Sequence, residues 1–198
     1  MIASNNPGKG RDLAACLAYY GLAAAPYFLN HARLDFPGET TTSYVTNAVT
    51  KAEFGAQQLG VPVIADDSGL EIPARPDFLG VTTARDLGVN VSGYERNQEI
   101  IRALRDLPNG QRYATMRATL ALAWPAGPTL VAQGTLSGYI TRHQVGRYSG
   151  GFDRLFWLPT YGKTLAELPD VWRLPLTHRG RAAQALVKQL LKMEGSVK

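Results

Sequence analysis

Val61-Pro62-Val63-Ile64-Ala65-Asp66-Asp67-Ser68-Gly69 is the stretch on which the fold of this chain turns. Val61 to Ala65 is a short apolar run rich in β-branched residues, and it predicts a buried strand. It runs straight into two carboxylates, a serine and a glycine. Adjacent side chains at a strand's end point to opposite sides. One of Asp66 and Asp67 can therefore face a cleft while the other anchors the turn. An ordinary Asx-turn, with Asp and Ser bonded to their own backbone, fits the same four residues.

Outward from that strand the period changes. Upstream, Val45, Ala48, Val49, Ala52, Ala56 and Leu59 recur at helical spacing across Ser43 to Leu59, and Gly60 ends the helix. The chain opens as a short strand, a turn and a helix within Arg11 to Tyr20, with Leu13, Cys16, Leu17 and Tyr20 on one face and Gly21 as the stop. Downstream, Ser92-Gly93-Tyr94-Glu95 has capping-box spacing before the stripe Ile100, Ile101 and Leu104. Tyr113 to Trp124 alternates, with Met116, Ala118, Leu120 and Leu122 on one side, and Leu130 to Ile140 reads as one or two strands around Gly134 and Gly138. A last helix from about Arg179 to Met193 is capped by Thr177 and buries Ala183, Leu186, Val187 and Leu190. Strands and helices mix without strict βαβ alternation. The expected class is α/β: a mixed sheet with flanking helices, not a doubly wound parallel fold.

Composition narrows the partners. The 198 residues are 45% hydrophobic, enough for one domain or two closely fused lobes, and no repeat or linker divides them. The lone Cys16 excludes an internal disulfide framework and fits a reducing compartment. No apolar run reaches the roughly 20 residues of a membrane span, and Met1 to Asn6 has no signal-peptide pattern, so a cytoplasmic protein with no membrane partner is expected. The net charge of +5 suits a polyanion, although such mild basicity is as often a bland surface property. Lys and Arg are scattered singly and only 9% of residues are aromatic, which argues against a stable nucleic-acid partner.

Two further segments carry chemistry. Ser4-Asn5-Asn6-Pro7-Gly8-Lys9 joins the first strand to the first helix, where free N–H groups, the helix dipole and Lys9 make an anion site. It is not a Walker A loop, and alone such a turn is more often an ordinary helix start. Thr177-His178-Arg179 opens the last helix and can present donors to a carbonyl or phosphate, or merely cap it. His31 and His143 have no ligand-like neighbours in sequence and read as surface residues. A carboxylate from Asp66-Asp67 aimed into a phosphate site can hold Mg²⁺ and orient or deprotonate a water.

In this order, the segments resemble the inosine/xanthosine triphosphate pyrophosphatase family. The resemblance covers nearly the whole chain: Ala3 to Lys9, Glu39-Thr40, Asn47 to Ala52, Ala65 to Glu71, Gly80 to Arg85, Gly134 to Ile140, Gly151-Phe152-Asp153, Ala166 to Leu168 and Thr177 to Gly180. It implies an elongated mixed sheet with flanking helices, in two lobes with the nucleotide cleft between them, and a homodimer. It also implies one pyrophosphatase domain over residues 1–198, cleaving deaminated purine nucleoside triphosphates (ITP, dITP, XTP) to monophosphate and pyrophosphate with Mg²⁺. Carried over by position, Ser4, Asn5, Asn6, Pro7, Gly8 and Lys9 would wrap the triphosphate, with Lys51 and Arg85 adding charge and Ser68 beside the phosphates. Glu39 and Asp67 would hold Mg²⁺, and Asp67 would act on the attacking water. Gly150, Gly151, Phe152 and Asp153 fall in the base-pocket strip, and Arg173, His178 and Arg179 would read the 6-keto oxygen.

The chain departs from the family mainly in that strip. Where the family has Gly-Phe-Gly-Tyr-Asp-Pro, this chain has Ser149-Gly150-Gly151-Phe152-Asp153-Arg154. Gly150 thus replaces the ring expected to stack on the base. Arg173 replaces a lysine, Thr46 a glutamate, and Leu79 and Thr82 a proline and a tyrosine. Besides the family's own reaction, two alternatives follow: the same chemistry with altered or broader base preference, and a nucleotide-binding protein that has lost turnover.

Overall fold

The computed structural model describes residues 1–88 and 91–195. Six strands, β1 (Ile2–Ala3), β2 (Val63–Glu71), β3 (Tyr113–Ala123), β4 (Thr129–Ile140), β5 (Phe156–Leu158) and β6 (Lys163–Thr164), form one sheet in chain order. The sheet is mixed, because β1 pairs with β2 in parallel while β4–β5 and β5–β6 are antiparallel. Six helices accompany it: α1 (Pro7–Tyr19), α2 (Tyr44–Leu59), α3 (Thr83–Asp86), α4 (Gly93–Ala103), α5 (Asp170–Leu176) and α6 (His178–Gly195). Among the described residues no helix is long and apolar enough to cross a membrane.

The chain forms two compact units. The first comprises Met1–Ser68, Arg117–Thr135 and Leu174–Lys198, and the second Gly69–Met116 and Leu136–Arg173. In unit 1 the sheet is covered on both faces. Ile2, Ile64, Ala118, Leu120 and Leu122 pack with Leu13, Cys16 and Leu17 of α1 and Ala182, Ala183 and Leu186 of α6. The alternate residues Ala3, Val63, Ala65, Ala121 and Ala123 pack against Ala48, Ala52 and Ala56 of α2. Strand parity therefore decides which helix each β2 side chain meets. Gly134 of β4 lets α6 approach closely: a Cβ there would stand 2.2 Å from the His178 carbonyl oxygen and 2.4 Å from the Ala182 nitrogen. In unit 2, Arg112 is buried and donates to the carbonyls of Leu104, Ile140 and Thr141.

Four local expectations change. Asp66-Asp67-Ser68-Gly69 is not a turn, because β2 runs through it to Glu71; the carboxylates and Ser68 bond to other side chains instead of closing an Asx-turn. Helix α1 begins at Pro7, since proline suits the first helical position and Asn6 caps it. Val45 is 40% exposed, and the buried stripe of α2 runs instead through Tyr44, Asn47, Ala48, Lys51 and Ala52. Residues 129–140 form one strand, its glycines serving close packing and not a break. The caps at Ser92 and Thr177 form as expected, the first as a full capping box, and Ser43 proves to cap α2.

Candidate active site

Strand β2 delivers its two carboxylates to opposite faces of unit 1, and each meets a different set of cations. Asp66 and Ser68 share the face under α1 and α6, with Ser68 Oγ donating to Asp66 Oδ2 at 3.1 Å. The Arg179 guanidinium closes over them: Nε donates to Asp66 Oδ2 at 3.1 Å, Nη2 to Ser68 Oγ at 2.6 Å and Nη1 to Asp12 Oδ2 at 3.2 Å. Burial alone drives the Asp66 carboxyl up, but Arg179, then Lys9 and Lys51, outweigh it and hold it at about 2. The Arg179 guanidinium is pushed upward, because Asp66 and Asp12 outweigh its own burial. Beside it, burial and then Arg179 push His178 well below the ordinary histidine range, so its ring is neutral. Asp66 Oδ1 and His178 Nδ1 are buried without a hydrogen-bond partner among the described residues.

Asp67 faces α2. Asn47 Nδ2 donates to its Oδ2 at 2.9 Å, and Lys51 Nζ lies 3.6 Å from its Oδ1. Lys51 also donates to Glu39 Oε1 at 2.7 Å and to the Asp66 carbonyl at 3.0 Å. Asn47 pins the segment that carries Glu39: its Oδ1 accepts from Thr40 N at 2.7 Å and Thr40 Oγ1 at 3.0 Å, and its Nδ2 donates to the Thr40 carbonyl at 3.1 Å. Burial raises the Asp67 carboxyl; Lys51, the Asn47 bond and Lys9 oppose the shift, and Glu39 adds to it. Lys9 is half-buried and lowered, first by burial and then by Arg179 and Lys51, against the pull of Asp66 and Asp67.

The turn before α1 is built from its own side chains. Asn5 is fixed by Tyr27 and by its own bond to the Leu34 carbonyl at 2.9 Å. Asn6 Oδ1 accepts from Gly8 N at 2.9 Å and Lys9 N at 3.1 Å, so the cap uses its carbonyl and leaves its amide NH₂ for a ligand. Ser4 Oγ accepts from Asn6 N at 3.2 Å. Asn6, Pro7 and Gly8 are exposed.

The other expected residues belong to unit 2. Arg173 is buried between two carboxylates, donating to Asp153 Oδ2 at 2.9 Å from Nη1 and to Asp170 Oδ1 at 2.9 Å from Nη2. Asp153 also accepts from Ser149 Oγ at 2.7 Å, and Asn97 Nδ2 holds the Gly151 carbonyl at 2.8 Å. Gly150 is extended, and a Cβ built on it meets nothing within 4 Å. Phe152 is half-buried, and Arg154 donates to the Gly146 carbonyl at 3.2 Å. Leu79 has φ 75, a conformation closed to the proline it replaces. Arg85 is exposed on α3, in a groove with Asp86, Val91, Glu95 and Arg102 and none of the strip. An apolar groove of about 560 Å³ beside Tyr139 and Trp157 contains no expected site residue.

Unit 1 thus brings Lys9, Glu39, Lys51, Asp67, Ser68, His178 and Arg179 into one charged network. Three further residues join it that were missed as site residues. Asp12 and Asp66 hold Arg179, and Asn47 holds both Asp67 and the Glu39 segment. Strand parity was the available signal for Asp66, since a residue beside Asp67 must face the opposite helix pair. His31 and His143 are exposed, as expected.

The pattern of the Ham1 family matches residues 1–189. A dITP/XTP pyrophosphatase of Geobacillus kaustophilus (strain HTA426) is 36% identical over 200 residues, 98% of this chain and 95% of that protein. One of Salmonella typhimurium (strain LT2) is 34% identical over 192 residues, 96% of each. Among solved structures, the Ham1 protein of Staphylococcus aureus superposes with a TM-score of 0.77 at 31% identity, covering 98% of this chain and 97% of its own. A HAM1 protein from Coxiella burnetii gives 0.76 at 30% identity, covering 96% and 97%.

Proposed function

This chain belongs to the Ham1 family, and from that premise we propose that it hydrolyses deaminated purine nucleoside triphosphates (ITP, dITP and XTP) to monophosphate and pyrophosphate. The observation that carries the reading is the placement of Asp67. Asp67 is 4% exposed, its carboxylate is oriented by Asn47, and burial pushes that carboxyl upward. In the reaction a water oxygen bonds to phosphorus as the bridge between the α- and β-phosphates breaks. Asp67 takes the water's proton, and the bridging oxygen leaves with pyrophosphate. The charge that develops on the phosphates needs fixed cations, which Lys9 and Lys51 supply. Asn6, through its free amide, and Ser4, Asn5, Pro7 and Gly8, through the turn they form, would wrap the triphosphate.

The donor set fits a hard divalent cation. Glu39 and Asp67 offer carboxylate oxygens that already converge on one positive charge, the Lys51 ammonium. These two residues would hold Mg²⁺, which when bound neutralises phosphate charge and acidifies a coordinated water. Arg179 is committed to Asp66, Asp12 and Ser68, so the buried, unpartnered Nδ1 of His178 is the group beside it with capacity to spare. With His178 neutral, one ring nitrogen donates to a 6-keto oxygen and rejects the amino group of adenine by about 1–3 kcal/mol. The homodimer is carried in the same proposal and is read out by sedimentation of the intact chain.

A pyrophosphate-release screen tests the reading. ITP, dITP and XTP should be cleaved with Mg²⁺ and not with EDTA, and ATP should be poor. Equal cleavage of ATP or a pyrimidine triphosphate favours the altered-specificity alternative, for which bare Gly150 is the supporting observation. Binding without release favours lost turnover.

A further inference from the structure

Both carboxylates assigned to Mg²⁺ already face one cation of the protein's own. Lys51 Nζ contacts Glu39 Oε1 at 2.7 Å, Asp67 Oδ1 at 3.6 Å and the Asp66 carbonyl at 3.0 Å, and its side chain is only 11% exposed. An ammonium and a divalent ion compete for the same oxygens, and like charges a few ångströms apart repel strongly in a partly buried site. We propose that Lys51 is a latch between two ligands: without a triphosphate it holds the Glu39–Asp67 pair against the divalent cation, and a triphosphate draws its ammonium off. The inference rests on the phosphate and metal roles proposed above.

Two features make Lys51 a latch rather than a strut. First, the Asp67 carboxylate and the backbone next to Glu39 are held by a residue other than Lys51. Asn47 holds Asp67 Oδ2 from one side and both backbone groups of Thr40 from the other, so Glu39's neighbour and Asp67 share an anchor that is not Lys51. Second, the ammonium rides on four flexible carbons from a helix whose own seat is fixed by Ala48 and Ala52. The head group can change partners without moving α2. A triphosphate carries more negative charge than the two carboxylates that share Lys51, so the exchange runs toward the phosphates. Coupling of this kind is reciprocal: whatever factor the triphosphate gains for the cation, the cation gains for the triphosphate. Lys9 stays within electrostatic reach of Asp67, so loss of Lys51 unshields the pair without stripping all positive charge from it.

Calorimetric titration of Mg²⁺ alone into the intact, nucleotide-free chain tests the latch. Lys51→Met should bind Mg²⁺ about tenfold or more tighter than wild type, from removal of one nearby unit charge. Lys51→Arg should stay within about threefold of wild type because the charge remains, and Asp67→Asn should lose binding. Lys51→Gln, which keeps a donor for the Asp66 carbonyl, repeats the test should the methionine variant fail to fold. The factor by which an α,β-imido analogue of ITP tightens Mg²⁺ should shrink in Lys51→Met. Chelation by free nucleotide is common to all variants and cancels in that ratio. Equal or weaker Mg²⁺ binding by both neutral variants, with unchanged far-UV circular dichroism, overturns the latch. Pyrophosphate release from ITP by wild type is measured in parallel. Its absence counts against the proposed function whatever the titration gives, whereas release with unchanged affinity in the neutral variants removes the latch alone.

Discussion

The two units hold their charged residues in different ways. In unit 1 each strong charge answers several others: Arg179 binds Asp66, Asp12 and Ser68, while Lys51 binds Glu39, Asp67 and the backbone of Asp66. Loss of Arg179 would strand the buried Asp66, at a cost of several kcal/mol for a broken buried pair. In unit 2 the strip from Ser149 to Arg154 meets a single buried cation, Arg173, clamped by Asp153 and Asp170, and at Gly150 it presents bare backbone with empty space around it. Under the proposed function the comparison teaches that reaction chemistry is fixed where charges interlock, and base preference is free to drift where bare backbone faces open space.

Four measurements break or sharpen that comparison. The largest effect belongs to Asp67→Asn, which should cut pyrophosphate release by about three orders of magnitude and leave the fold intact, since the amide removes the proton acceptor. Wild-type-like turnover in that variant takes Asp67 out of the reaction. Lys9→Ala should slow release about 100-fold through lost charge in the transition state; a change in base preference alone would mean that the triphosphate lies elsewhere.

The third measurement is of stability. His178 has its folded value depressed, so it is neutral in the fold and contributes stability that is present above the unfolded value of about 6.5. That stability is lost as pH falls, because the unfolded chain takes up the proton first. Urea unfolding at pH 7.5, 6 and 5 should show a loss of up to about 1.4 kcal/mol per pH unit, and His178→Gln should flatten that slope. An unchanged slope would mean the ring is charged in the fold. The smallest effect is in unit 2. Gly150→Phe should lower the KM for ITP by about fivefold, the worth of one aromatic contact, with kcat little changed. An unchanged KM would show that the strip does not face the base.

Much of this was legible beforehand. The periods of α1, α2, α4 and α6, the caps at Ser92 and Thr177, and the mixed sheet all follow from local rules that burial reinforces. The short pieces α3, α5, β5 and β6 were not read, because two to seven residues carry too little periodicity to separate from loops. Asp66-Asp67-Ser68-Gly69 misled in an instructive way. Four turn-forming residues lie within a strand because Arg179, Asn47 and Lys51, distant in sequence, satisfy side chains that would otherwise bond their own backbone. For the same reason Asp12 and Asn47 went unremarked as site residues: their value lies wholly in what the fold brings to them.

The absence of a side chain at Gly134 has a consequence beyond packing. The backbone of β4 touches the backbone of α6 where His178 and Arg179 are carried. The distance from sheet to helix at that point is set by one missing methyl, with no flexible atoms to absorb an error. Gly134→Ala would therefore act as a spacer, lifting the start of the helix and carrying the guanidinium away from Asp66 while every charged residue remained in the sequence. The seat of Arg179 over Asp66 is in that sense a dimension as much as a composition, and it can be lost at a position that bears no charge.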